Sequence, residues 1–447
     1  MNKEELLTLI SNDSIVVSKL KILLTDMNTA DIADILEELD KEKAVQIFRI
    51  LPKAIAADVF AYIESDYQQL IIEALTDTEI SQIVNKLFVD DAVDFIEEMP
   101  ASVVKRVLQN VKSEKRNLIN KLLQYPDDSA GSIMTTEYVD LREDLTVQEA
   151  FEQIRKTGIN KETIYNCYVI RKDRLLIGVI SAKKLMLAQP QEHIGELMDE
   201  NIVIAHTSDD QETIAAQFQK YGLLAMPVVD KEQRLVGIIT VDDIVEVIVE
   251  ESTEDIEKMS ALAPSDEPYL KTSVLRLAKN RILWILVLMF SATITGSIIS
   301  SFENSLAVLP ILMSFIPMLM NTGGISGSQA STLIIRGMAV GEIRMRDVLR
   351  VMWREIRVGA LCGIVLSSVN MLRVYLMNSK NFLLAATIST SLLFTIIIAK
   401  TIGGFLPILA KRLKIDPAIM AAPLITTIVD SVSLMIYFSF AKIFFKL

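Results

Sequence analysis

The sequence predicts a multidomain chain: α-helical and then α/β over its first 270 residues, and an all-α membrane domain over the rest. Three observations predict it. Apolar runs long enough to span a bilayer are confined to about the last 170 of the 447 residues. Charge divides at the same place. Residues 271–447 hold 18 Lys+Arg against six Asp+Glu, a net of +12, whereas residues 1–270 hold 27 against 51, a net of −24. Finally, residues 139–190 and 199–250 repeat one another.

Residues 1–125 read as amphipathic helices broken at Pro52, Pro100 and Pro126. ADIADILEEL (30–39) matches DDAVDFIEEM (90–99) at an offset of 60, so stacked helical hairpins in a superhelix are expected. The opening MNKEELLTLISND has no basic n-region and no long apolar h-region, so no signal peptide is expected. In the repeat, CYVIRKDRLLIGVIS (167–181) aligns with MPVVDKEQRLVGIIT (226–240) at a constant offset of 59. Each copy is a strand, a charged turn, a strand with central Gly178 or Gly237, and a helix. Two such β-α units must bury their sheet faces against each other. A long acidic helix, 240–262, follows. Asp243, Glu246, Glu250, Glu254 and Glu257 recur at three- and four-residue spacing, with Glu251 and Asp255 beside them. Such crowding costs a bare helix some tenths of a kcal/mol per pair, roughly, and bound Mg²⁺ or Ca²⁺ would screen it.

Five spans are expected: 282–302, 304–335, 358–372 with amphipathic extensions, 381–410 interrupted by Lys400, and 417–441 interrupted by Asp430. Arg336, Arg344, Arg346, Arg350, Arg354 and Arg357 follow span two, and Lys411, Arg412 and Lys414 follow span four. Only Arg373 and Lys380 follow span three. The positive-inside rule then puts the N-terminus in the cytosol and the C-terminus outside.

Asp430 is the most informative residue. A carboxylate at mid-bilayer costs roughly 2.5–3.5 kcal/mol on insertion scales, so it is expected to face an aqueous path or a partner. Pro423, Thr426, Thr427 and Ser433 fall within about 60° of it on a helical wheel. Pro423 is expected to kink span five and free the carbonyl of Ile419. Span two, PMLMNTGGISGSQASTLIIRG (317–337), reads as a broken helix lining a wet cavity, with Gly323 and Gly324 at the break. Lys400 is expected to snorkel or to pair with Asp416 or Asp430.

Other classes are excluded. Cys167 and Cys362 lie in segments of different type and predict neither disulfide nor metal knuckle. The net charge of −12 and the absence of a basic aromatic face argue against nucleic acid. With two histidines and no nucleophile–base constellation, no enzyme is expected.

These features resemble the MgtE family of magnesium channels and transporters. The matching motifs are SAGSIMT (129–135), TVDDIV (240–245) with ESTEDI (251–256), the Gly-Gly motif of span two, and DPA…PL..T..D in span five. The resemblance implies a helical N domain (1–128), tandem CBS domains (129–194 and 195–249), a connecting or plug helix (250–274) and five transmembrane helices (275–447). It also implies a homodimer with a pore on the two-fold axis, closed by Mg²⁺ bound to the cytosolic domains. Carried over residue by residue, it makes Asp430, with Thr426, Asp416, Gly323 and Gly324, the pore-ion set. Asp90, Asp94, Asp210, Asp243, Glu246, Glu251, Glu254 and Asp255 become regulatory Mg²⁺ ligands. CBS pairs often bind ATP or another adenine nucleotide at a G-h-h-T-x-x-D turn. The second unit keeps it as Gly237, Thr240 and Asp243, whereas the first has Lys184 at the Asp position. Gly222 stands where some relatives have an acid.

The expected function is Mg²⁺-gated Mg²⁺ import through a bacterial-type inner membrane. Transport of Mn²⁺ or Co²⁺, and a nucleotide-sensing membrane regulator, are the alternatives.

Overall fold

The computed structural model describes residues 6–8, 10, 16–265, 269–270, 272–303, 309–377 and 381–446. It forms two compact units, Met1–Ile248 and Val249–Leu447.

Among the described residues of the first unit, nine short helices cover 17–122. They are α1 (Val17–Thr25), α2 (Thr29–Glu38), α3 (Lys41–Ile50), α4 (Lys53–Tyr62) and α5 (Ser65–Ala74). Then come α6 (Asp77–Val84), α7 (Val89–Glu97), α8 (Ala101–Asn110) and α9 (Ser113–Leu122). Five of them begin where a residue can satisfy or dispense with free amides. Asn28 and Asp40 cap α2 and α3, a Thr76–Glu79 capping box starts α6, and Pro52 and Pro100 precede α4 and α8. Alternate helices stack, α2 on α4, α3 on α5, α4 on α6, which makes the expected superhelix. The 60-residue echo falls on α2 and α7.

The β-α repeat follows. Strands β1 (Asp140–Arg142), β2 (Asn166–Ile170) and β3 (Leu176–Ser181) form one sheet, with helices α10 (Val147–Thr157), α11 (Ala182–Leu187) and α12 (Ile194–Leu197). The second sheet holds β4 (Ala205–His206), β5 (Ala225–Val229) and β6 (Leu235–Thr240), with α13 (Gln211–Tyr221) and then α14 (Val241–Met259). The bounds of β2 and β3 correspond to those of β5 and β6 at the predicted offset of 59.

The two sheets also exchange their leading segments. Thr135, ahead of the first sheet, exchanges two backbone hydrogen bonds of 2.8 and 2.9 Å with Ile238 in the second. Asp199, ahead of the second, does the same with Val179 in the first, at 2.8 and 3.0 Å. Gly178 and Gly237 admit this crossing, because a Cβ there would collide with Met198 or Met134. The helical superhelix and the second sheet share one apolar core through Ala130, Met134, Phe218, Ile239 and Val247.

The second unit holds α15 (Val274–Ser301), α16 (Ile316–Ala339), α17 (Val348–Met377), α18 (Phe382–Arg412) and α19 (Ala422–Phe445). Among the described residues, four helical stretches are long and apolar enough to cross a membrane: 274–301, 345–377, 382–412 and 417–445. The amides and hydroxyls of α16 keep it outside that set. The start of expected span two (304–308) and Lys380 lie outside the described residues.

Two expectations about these spans are corrected. Helix α16 is continuous, not broken, and its glycines are buried contact points. Gly323 faces Thr395, Val429 and Ser433, while Gly324 faces Thr426. A Cβ at Gly403 of α18 would run into the Gly327 carbonyl, so here two backbones touch. Pro423 does not kink a helix. Span five begins as a 3₁₀ turn, Pro417–Met420, and restarts at Ala422, so that Pro423 sits in the first turn, where its missing N–H costs nothing.

Candidate metal centres

The first centre is an acidic group inside the first unit. Asp90, Asp91 and Asp94 lie on α7 at spacings of three and four, and so share a face. Asp243 and Glu246 from the start of α14 are among their charged neighbours, as is Glu162 from the first β-α unit. Glu137 adds a further charge beside Asp90 and Glu162. Local contacts set these side chains. Asp243 Oδ2 accepts from Thr240 Oγ1 at 2.6 Å, Glu137 Oε2 accepts from Thr135 Oγ1 at 2.8 Å, and Glu162 N donates to the Glu137 carbonyl at 2.8 Å.

Burial and mutual repulsion raise the carboxyl pKa values. Asp94 and Glu162 are pushed up to about 8, first by burial and then by Asp91 and Asp243. Asp91 and Asp243 reach about 6, again mainly by burial. Asp90 is 7% exposed and lies well above the usual carboxylate range for the same reason. Lys115 lies beside the group. Its ammonium donates to the Leu87 carbonyl, and burial lowers its pKa. Asp90 Oδ1 and Glu162 Oε2 are buried without a hydrogen-bond partner. Such orphaned acceptors call for protons or a cation.

The donor set is all carboxylate oxygen, which suits a hard divalent ion. Among the described residues, no three of these acids converge closely enough to coordinate one ion directly.

A pH dependence follows, with its sign set by the raised values. Protonated acids favour the folded state, so their contribution is complete below about pH 4 and is lost as pH rises through about 6 and then about 8. The Tm of metal-free protein is expected to fall between pH 5.5 and 8.5, and millimolar Mg²⁺ to abolish most of the fall. A flat metal-free profile contradicts the grouping.

The second centre is Asp430, half-buried on α19. Among the described residues it makes no hydrogen bond or ion pair. Thr426 and Thr427 turn their hydroxyls back to the Pro423 carbonyl, at 2.9 and 3.1 Å. Lys400 is 6% exposed and reaches Gln329 Oε1 at 3.4 Å, with the buried Glu355 as its charged neighbour. Of the two expected roles, snorkelling or pairing with Asp416 or Asp430, the pairing is not formed among the described residues.

The remaining expected ligands are placed elsewhere. Asp210 caps α13, accepting from the amides of Glu212 and Thr213 at 3.0 and 3.3 Å, and is not part of the acidic group. Asp416 is engaged at the start of span five. It caps the 3₁₀ turn through Ala418 N at 2.8 Å and binds Lys258 at 2.7 Å. Glu254 holds the same ammonium at 2.6 Å, while burial and Asp416 raise the pKa of Asp255. Glu251 lies one turn before Asp255. Gly222 takes φ +61° at the end of α13, a left-handed position where an acid would be strained. Sequence reasoning missed Glu162, Glu137, Lys115, Lys258 and Glu355. Only Asp91, in the string DDAVD, left a local signal.

Comparison with known proteins identifies the chain. The family model for the MgtE divalent cation transporter matches residues 316–440, that for the MgtE intracellular N domain 27–128, and that for the CBS domain 130–190 and 194–250. The chain is 34% identical over 428 residues to the magnesium transporter MgtE of Thermus thermophilus, covering 95% of this chain and 94% of that one. The chain belongs to the MgtE family. The Bacillus subtilis MgtE magnesium transporter is 32% identical over 444 residues, covering 96% and 97%. A solved structure of the soluble part of a magnesium transporter matches with a TM-score of 0.53 at 30% identity, covering 56% of this chain and all of that one. MgtE proteins are transporters embedded in membranes, not enzymes, and this chain has their helical N domain, tandem CBS domains and apolar C-terminal helices.

Proposed function

We propose that this MgtE protein conducts Mg²⁺ past Asp430, and that Mg²⁺ bound to the acidic group of the first unit closes the path. One observation carries the proposal: among the described residues Asp430 is a carboxylate without a partner on a mostly apolar helix, in a chain that also holds a strongly buried acidic group with orphaned oxygens. Mg²⁺ dehydrates reluctantly, so a path for it needs one or two carboxylates facing water rather than a full protein cage. Two copies of the chain, each presenting α19 at a shared axis, supply two.

On this reading α16 completes five spans, and the basic loops after α16 and α18 keep the N-terminus in the cytosol of a cell bounded by this membrane. Gating needs a ligand that prefers one state. Without divalent ions the acids repel by about 1–4 kcal/mol per close pair, depending on dielectric, and bound Mg²⁺ reverses the sign. A nucleotide is not needed. Gly237 is covered by Met134, and Asp243 is engaged by Thr240 among acids that would repel phosphate. Nor is nucleic acid, for which the first unit has the wrong charge.

Uptake by purified protein in liposomes tests the ion. Mg²⁺ is expected to enter faster than Mn²⁺ or Co²⁺ at equal concentration. Preference for either of the others would move the protein to that cargo.

A further inference from the structure

We propose that Lys258 is a resident cation that ties the end of α14 to the start of the Asp430 helix, holding that junction without a divalent ion. The acid run of α14, read as a pattern, asks for metal along its whole length. Its C-terminal part is instead already served. Lys258 Nζ lies 2.6 Å from Glu254 Oε1 and 2.7 Å from Asp416 Oδ2, and its side chain is only 21% exposed. Such short charge-assisted bonds are the strong kind. Asp416 is itself anchored: its Oδ1 accepts from Ala418 N at 2.8 Å and caps the 3₁₀ turn Pro417–Met420. That turn leads directly into α19. An unbroken series of contacts thus runs from Glu254 through the ammonium and Asp416 to the first turn of the helix bearing Asp430.

A tethered ammonium differs from an ion in one decisive way. Its local concentration is set by the chain, not by the Mg²⁺ outside. The junction at Lys258 is therefore constitutive, and the acidic group around Asp90, Asp94 and Asp243 is the part that answers to Mg²⁺. Lys258 acts as a positioning residue for α19 and does not touch the ion. The regulatory consequence rests on the function proposed above, whereas the metal-independence of the junction does not.

Amide hydrogen exchange on the full-length protein in nanodiscs, with and without EDTA, separates the two. Wild-type protein is expected to protect residues 256–259 and 422–427 equally in EDTA and in Mg²⁺. Lys258→Met should speed exchange there about tenfold in EDTA, as both contacts of the ammonium are lost together. Mg²⁺ should restore protection, because Glu254 and Asp416 can then share an ion. Lys258→Arg should behave as wild type, and Glu254→Gln, which removes one arm, should fall between. Protection in the wild type that requires Mg²⁺, or exchange in Lys258→Met that matches wild type in EDTA, overturns the proposal. Transport does not enter these readouts, so a chain that proved to carry no Mg²⁺ would remove only the regulatory consequence.

Discussion

Asp430→Asn is expected to reduce Mg²⁺ uptake by about two orders of magnitude while leaving folding and assembly intact. Removing the charge that faces a divalent ion in a poorly solvated place costs on the order of 3 kcal/mol, which is roughly a hundredfold in rate. Asparagine matches aspartate in shape, and no donor among the described residues depends on the carboxylate. The monodisperse peak in size-exclusion chromatography should therefore be unchanged. Because Lys400 is occupied by Gln329 and Glu355, it offers Asp430 no compensation that could hide the loss. Uptake at the wild-type rate would remove Asp430 from the path.

Neutralising Asp91, Asp94 and Asp243 together is expected to act in the opposite sense on stability and on gating. Their carboxylates repel one another without metal, so the asparagine triple variant should have a higher Tm in EDTA at pH 8 than wild type. It should also lose most of the Mg²⁺-dependent rise in Tm. An ion bound at 100 times its Kd adds about 2.7 kcal/mol to the wild type, and the variant lacks the ligands to gain it. In liposomes the variant should keep conducting at Mg²⁺ levels that close the wild type. A variant that closes normally would place the sensor outside the acidic group.

Much of the architecture was legible because it rests on local or repeated patterns. Pro52 and Pro100 start helices where their missing amides cost nothing, and the offset of 59 recurs residue for residue in the strands. What failed is instructive. The glycines of α16 look alike on the page whether they break a helix or let one lie against another. In the fold the backbone bonds of α16 stay closed, and the absent Cβ atoms admit Thr426, Ser433 and the backbone of Gly403. Pro423 carried the same ambiguity, between a kink and a first turn.

The acidic centre was only half legible. Asp90 and Asp94 sit on one helix face, a spacing any reader can see. Glu137 and Glu162 join them because the first β-α unit brings two of its loops to that face, and no period in the sequence encodes this. Lys258 and Asp416 are 158 residues apart, so a charge run was read as metal-binding when a lysine already answers part of it.

Gating is the central claim, and one measurement tests it most directly. Purified wild-type protein in liposomes is loaded so that Mg²⁺ on the face bearing the first unit can be varied, and flux down a fixed opposite gradient is followed. Flux should be high when that face is free of divalent ions and fall steeply as Mg²⁺ there reaches millimolar levels. Flux that ignores Mg²⁺ on that face would contradict the claim.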